Sequence, residues 1–214
     1  MSQSLYDTAR KLSEAAVRSL PERWNDKKVN RSGLRAAFRR WRPDADAEPS
    51  MEMRGAIWGD NYLFGIIPEP APDESIGEQR AREGHTQQMV DRAAILVSLR
   101  AVAGEHAGTP VPFGKALLQS GLSDTRFARL VTTPPSGRLE AVRRALQLTE
   151  SKGAVAVVDW TKETRRFYYF LFGSPDQAKN AVDAWAADFF RARGQVGKEA
   201  AAAAENTTDD AENN

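Results

Sequence analysis

The sequence predicts an all-α fold: one helical bundle of about seven to nine helices with a disordered C-terminal tail. Three observations carry this. Apolar residues recur at i, i+3, i+4 through most segments, the period of a helix with one buried face. Segment starts carry N-cap residues, as at Ser123, Asp159 and Ser174, and segment ends carry glycine or proline. The one apolar run that could pass for a strand, Ala154 to Val158, leads into the good N-cap Asp159, so it reads as a loop before a helix.

Taken in order, Leu5, Ala9, Leu12, Ala16 and Leu20 mark a first helix, closed by Pro21. A second helix is expected over Ser32 to Arg42, with Leu34, Phe38 and Trp41 on its buried face. Arg31, Arg35, Arg39 and Arg42 share another face of it. Such a row suits phosphates along a strand; the alternative is a surface helix whose arginines pair with acids elsewhere. Pro43 to Ser50 reads as a linker. Met51 to Ile67 holds a third helix, weakened by Gly55, Gly59 and Gly65. Pro68 to Asp73 reads as an acidic mobile loop running on toward Gly84. Thr86 to Ala103 is helical, with Met89, Ala93, Leu96, Val97 and Val102 on one side.

Pro110-Val111-Pro112 breaks the chain, and Phe113, Leu117 and Leu118 mark a short helix into Gly121. From Gly121 to Gly153 the pattern is two helices joined by Thr132-Thr133-Pro134-Pro135. In the first, capped by Ser123, Phe127, Leu130 and Val131 form an apolar stripe, and Arg126 and Arg129 a second one. In the other, Leu139, Val142 and Leu146 are apolar, with Arg138, Arg143 and Arg144 off that face and Gly153 as an αL cap. Asp159 caps a helix ending at Phe172-Gly173. Ser174, Pro175 and Gln177 form a capping box for the last helix, which buries Val182, Trp185 and Phe189 and ends near Gly194. Residues 1–194 form the helical part, divisible at about residue 110, and 195–214 the tail, whose alanine run suits transient helix.

Charge is unevenly placed. Of 30 basic and 29 acidic side chains, the segment from Gln195 holds one base and five acids, which leaves the rest an excess of five positive charges. A basic body with an acidic tail suits contact with nucleic acid. There is no cysteine, hence no disulfide or thiolate site. No apolar run reaches membrane-spanning length and the N-terminus lacks a secretory signal, so a cytoplasmic protein is expected. His85 and His106 stand alone beside glycines. Scattered acids form no metal-site spacing, and phosphate-loop, dinucleotide and nucleophile-elbow motifs are absent. Thr161, Lys162 and Glu163 are explained by capping and surface charge. No enzyme activity, metal or cofactor is expected.

Several short motifs occur in a telling order: Gly121-Leu122-Ser123 with Arg126 and Leu130; Leu139, Arg143-Arg144 and Leu146; Ser151-Lys152-Gly153; Val158-Asp159-Trp160; Trp185-Ala186 with Phe189-Phe190. Gly33-Leu34-Arg35-Ala36-Ala37 follows Trp24 near the N-terminus. In this order the chain resembles the CasB family, the small subunits of type I-E CRISPR surveillance complexes (Cascade). It departs from that pattern in the insert near Pro68 to Gly84, the aromatic run Phe167 to Phe172, and the tail. The resemblance implies an all-helical, non-catalytic subunit of an antiviral complex. Its partners would be the other Cascade subunits, guide RNA, target DNA and a second copy head to tail. It would stabilise the R-loop by holding nucleic-acid backbone, chiefly the displaced strand, without reading sequence. The candidate contacts are Arg31, Arg35, Arg39, Arg42, Arg126, Arg129, Arg138, Arg143, Arg144 and Lys152. The alternative is a sequence-specific DNA-binding regulator with a helix-turn-helix over residues 113–131.

Overall fold

Two long helices organise the N-terminal half. The computed structural model describes residues 3–24, 32–43, 48–58, 66, 72–104, 109–151 and 157–212. Helix α1 (Gln3–Trp24) packs along α4 (Ile76–Ala103), with α2 (Ser32–Arg40) and α3 (Met51–Trp58) laid across them. Ala9, Leu12, Ala16 and Leu20 on α1 meet the same core as Met89, Ala93, Leu96 and Val97 on α4. Pro21 does not end α1, which continues to Trp24. Helix α2 ends two residues earlier than expected, with Leu34 and Phe38 buried and Trp41 packed beside them. The stretch expected to be a loop as far as Gly84 is helical from Ile76. Ser75 and Glu78 form a capping box there, with hydroxyl and carboxylate each accepting a backbone N–H of the other residue.

The C-terminal half contains α5 (Phe113–Gln119), α6 (Asp124–Val131), a 3-10 turn at Pro135–Gly137, α7 (Arg138–Ser151), α8 (Trp160–Phe172) and α9 (Pro175–Glu212). That makes nine α-helices among the described residues, so the fold is all-α, as expected. The three sequence-read N-caps hold. Ser123 accepts from the Arg126 amide, Asp159 from Lys162, and Ser174 from Gln177, whose own amide oxygen accepts from the Ser174 N–H. Helix α9 does not stop at Gly194 but runs to Glu212, its residues 193–199 exposed. Gly153 lies outside the described residues.

The loop expected before Asp159 is overturned. Val157–Val158 is a strand, β2, paired in parallel with β1 (Pro110–Val111), and the Asp159 amide donates to the Val111 carbonyl at 2.9 Å. An isolated two-residue strand has no period to read, because its partner lies far away in sequence.

An aromatic cluster joins α5, α8 and α9. Phe113, Phe167, Phe170 and Trp185 are fully buried. Their rings meet at centroid distances of 4.9–5.3 Å, an arrangement favourable beyond burial alone. Gly114 lets α5 approach α9 this closely: a Cβ there would collide with the Trp185 carbonyl oxygen and lie 2.9 Å from the Phe189 nitrogen.

Glu163 sits among these rings with no exposed surface. Its carboxylate accepts from Trp185 Nε1 and Arg166 Nη1, each at 2.7 Å, and from the Phe113 amide. Arg166 also reaches Asp188 at 3.0 Å. Burial pushes the Glu163 carboxyl above its ordinary value, opposed by these donors. It is therefore not a surface charge. It stands one turn from Trp160 and from Phe167, on their face of α8, and that phase was the sequence signal for its burial.

Candidate nucleic-acid interface

The arginines singled out in the sequence separate into three groups. The first is the α2 row. Arg39 donates to Glu150 of α7 at 2.7 Å, and Arg42 lies 3.7 Å from Glu140. Arg35 is half-buried. Arg39 and Arg42 therefore face acids of α7 instead of forming an open cationic stripe. Arg31 lies outside the described residues, as does Lys152.

The second group is structural. Arg143 is 2% exposed. Its Nη1 donates to the Trp41 carbonyl at 2.8 Å and its Nη2 to the Arg39 carbonyl. A guanidinium there satisfies the carbonyls at the end of α2 and complements the negative end of the helix dipole. Its burial follows from phase: at ~100° per residue, Arg143 lies about 40° from Leu139 and inside the buried arc of α7. Arg143 thus lies within the apolar face, not off it as expected. Arg138 is also engaged. It donates to the Phe170 carbonyl at 2.8 Å and stacks over the Phe170 ring at 4.9 Å.

The third group surrounds an open groove of about 710 Å³ between α6 and α7. Its floor is aliphatic: Leu122, Leu130, Ala141, Ala145 and Leu148. Its rim carries Arg126 and Arg129 from α6 and Arg144 from α7. The Ser123 cap fixes the start of α6, and the burial of Phe127 and Leu130 turns Arg126 and Arg129 outward. Neither of these two side chains has an acidic partner among the described residues. Arg144 pairs with Glu140 at 2.8 Å but keeps 74% of its side chain exposed, where such a pair is weak. Beyond Val131 the Thr132 and Thr133 hydroxyls donate to the Ala128 and Arg129 carbonyls and close the helix end.

The arginines were legible in the sequence, but the groove floor was not. Leu122 precedes the cap and Ala141 and Leu148 lie seven residues apart, which is a stripe in retrospect. Among the described residues no group of three or more metal-ligating side chains comes together. No described helix is long and apolar enough to cross a membrane. Comparison with known proteins finds no matching family model, no matching curated protein and no matching solved structure.

Proposed function

We propose that this chain is a non-catalytic small subunit of a type I-E CRISPR surveillance complex, holding nucleic-acid backbone without reading its sequence. The ordered motifs of the sequence support the family, together with the all-helical fold. The observation that carries the activity is the outward pair Arg126 and Arg129, one turn apart on the groove rim and without acidic partners among the described residues. Guanidinium groups bond phosphate oxygens through two N–H groups at once. Guide pairing would supply sequence recognition, so backbone contacts suffice here. The displaced strand is the expected ligand. The other complex subunits, guide RNA and a second copy head to tail are the expected partners, in the cytoplasm.

The α2 row contributes less on this reading, because phosphate would only replace carboxylates already in place. The test is binding to a short single-stranded oligonucleotide across a salt series. Each lost phosphate contact should lower the salt slope by about 0.7, so Arg126→Ala with Arg129→Ala should flatten it by roughly 1.4. Arg39→Ala with Arg42→Ala should change it by less. An unchanged slope in the first double variant refutes the assignment.

A second reading has one observation in its favour. Helices α5 and α6 are joined by a short turn containing Gly121 at φ 80°, a helix-turn-helix connection. A sequence-specific regulator would prefer one duplex over random duplex in competition, whereas the first reading predicts indifference.

A further inference from the structure

The α6–α7 groove has a feature that phosphate binding leaves unused, its aliphatic floor. Among the described residues no aromatic ring lines it, so they offer bases no stacking platform. An apolar trough with cations on both rims suits a helix that is small and apolar on one side and acidic beside it. The chain itself contains such a segment. Ala200 to Ala204 are flanked by Glu199 and Glu205, with Asp209, Asp210 and Glu212 beyond.

The placement of the segment fits as well. The Arg193 guanidinium pairs with Asp124 in the first turn of α6, so α9 leaves the body at one end of the groove. Gly194 and Gly197 follow immediately, and a Cβ on either would meet nothing within 4 Å. Each glycine weakens the helix by about 1 kcal/mol relative to alanine, so the easiest point for α9 to bend is at the groove mouth. Residues 198–212 as helix are about 22 Å long, and the 14 residues of α7 are about 21 Å long.

We propose that the acidic C-terminal segment, residues 198–212, bends at Gly194–Gly197 and docks in the α6–α7 groove of its own chain, its carboxylates against Arg126, Arg129 and Arg144. The continuous helix and the docked form are then two conformations of one chain. A short tether gives the segment an effective concentration near the millimolar range, so a weak contact is enough to populate the docked form. The docked segment occupies the surface offered to a polyanion and must be displaced by it. That competitive consequence rests on the nucleic-acid reading above; the docking itself does not.

The chain has no cysteine, so a pair introduced at the exposed groove position Gln147 and at a tail position reports the docking directly. The variant is the full chain with Gln147→Cys and Asn206→Cys. Under mild oxidation at low protein concentration it should form a disulfide within one chain, at a yield independent of dilution. Neutralising the tail (Glu199→Gln, Glu205→Gln, Asp209→Asn, Asp210→Asn), or Arg126→Gln with Arg129→Gln, should cut that yield about fivefold, the low end of ordinary coupling between two sites. High salt should do the same. A yield unaffected by neutralisation overturns the proposal. So does a disulfide between chains that grows with concentration, which would place the tail on a second copy. In a parallel arm, the neutral-tail variant without added cysteines should bind an oligothymidylate about tenfold more tightly than the unaltered chain. If neither binds, the function proposed above fails while the disulfide result still decides the docking.

Discussion

Substituting Arg143 separates a structural arginine from a binding one. Its guanidinium makes two hydrogen bonds to backbone carbonyls, those of Trp41 and Arg39. Bonds from charged donors contribute about 1.5–3 kcal/mol each. Arg39 is exposed and Trp41 half-buried, so water can reach these carbonyls after the change, and the lower end applies. Arg143→Ala should therefore cost about 3 kcal/mol, a melting shift of roughly 6–12 °C for a chain of this size. Arg143→Lys keeps the charge but places one ammonium where two N–H groups diverged, so it should recover only part of the loss. The assay is urea denaturation followed by circular dichroism, with the salt slope of oligonucleotide binding measured on the same samples. The expected pattern is a lower midpoint, an unchanged denaturant slope and an unchanged salt slope. A variant as stable as the parent with a flattened salt slope would refute the clasp and return Arg143 to the nucleic-acid contacts.

Three further outcomes follow from the packing. Gly114→Ala forces a Cβ into the Trp185 carbonyl, and parting α5 from α9 should cost about 1–3 kcal/mol; a midpoint unchanged in denaturation would show that the two helices have slack. Ser75→Ala removes the hydroxyl of the α4 capping box and should cost about 1 kcal/mol, visible in the same melt. Glu163 titrates above its ordinary value in the fold because it is buried. The stability linked to that shift is therefore full below the unfolded value of about 4.3 and is lost as pH rises through the folded one. Relative to Glu163→Gln, which does not titrate, the parent should lose stability across that rise; a constant difference between the two at every pH would contradict the direction of the shift.

Most helices were legible because each has its own period, and three of them start at a cap the sequence shows. Leu12 and Ala16, or Trp185 and Phe189, declare a buried face without knowledge of what covers it. Failures came where the deciding partner was remote. The acids opposite Arg39 and Arg42 lie on α7, about a hundred residues away in sequence, so the row looked open when read along α2 alone. Pro21 looked like a stop by local rules, yet α1 carries on past it. The start of α4 was available in the sequence: Ser75-Ile76-Gly77-Glu78 is a capping-box pattern, obscured by the prolines just before it. Of the candidate contacts, the exposure of Arg126 and Arg129 followed from the Phe127–Leu130 stripe beside them. The groove they border needed the tertiary pairing of α6 with α7.

The parallel pairing of Pro110–Val111 with Val157–Val158 gives the middle of the chain an unusual tether. Helices α5, α6 and α7 lie between the two strands, so they form a loop closed by backbone hydrogen bonds. A protease nick at the exposed Pro134-Pro135-Ser136 crest would open that loop without freeing either end. Both fragments would still be gripped by the rungs and by the Phe113 and Phe127 contacts to α9. The cut protein should travel as a single particle on a sizing column and come apart only in denaturant, which makes that crest a natural place to insert a reporter sequence.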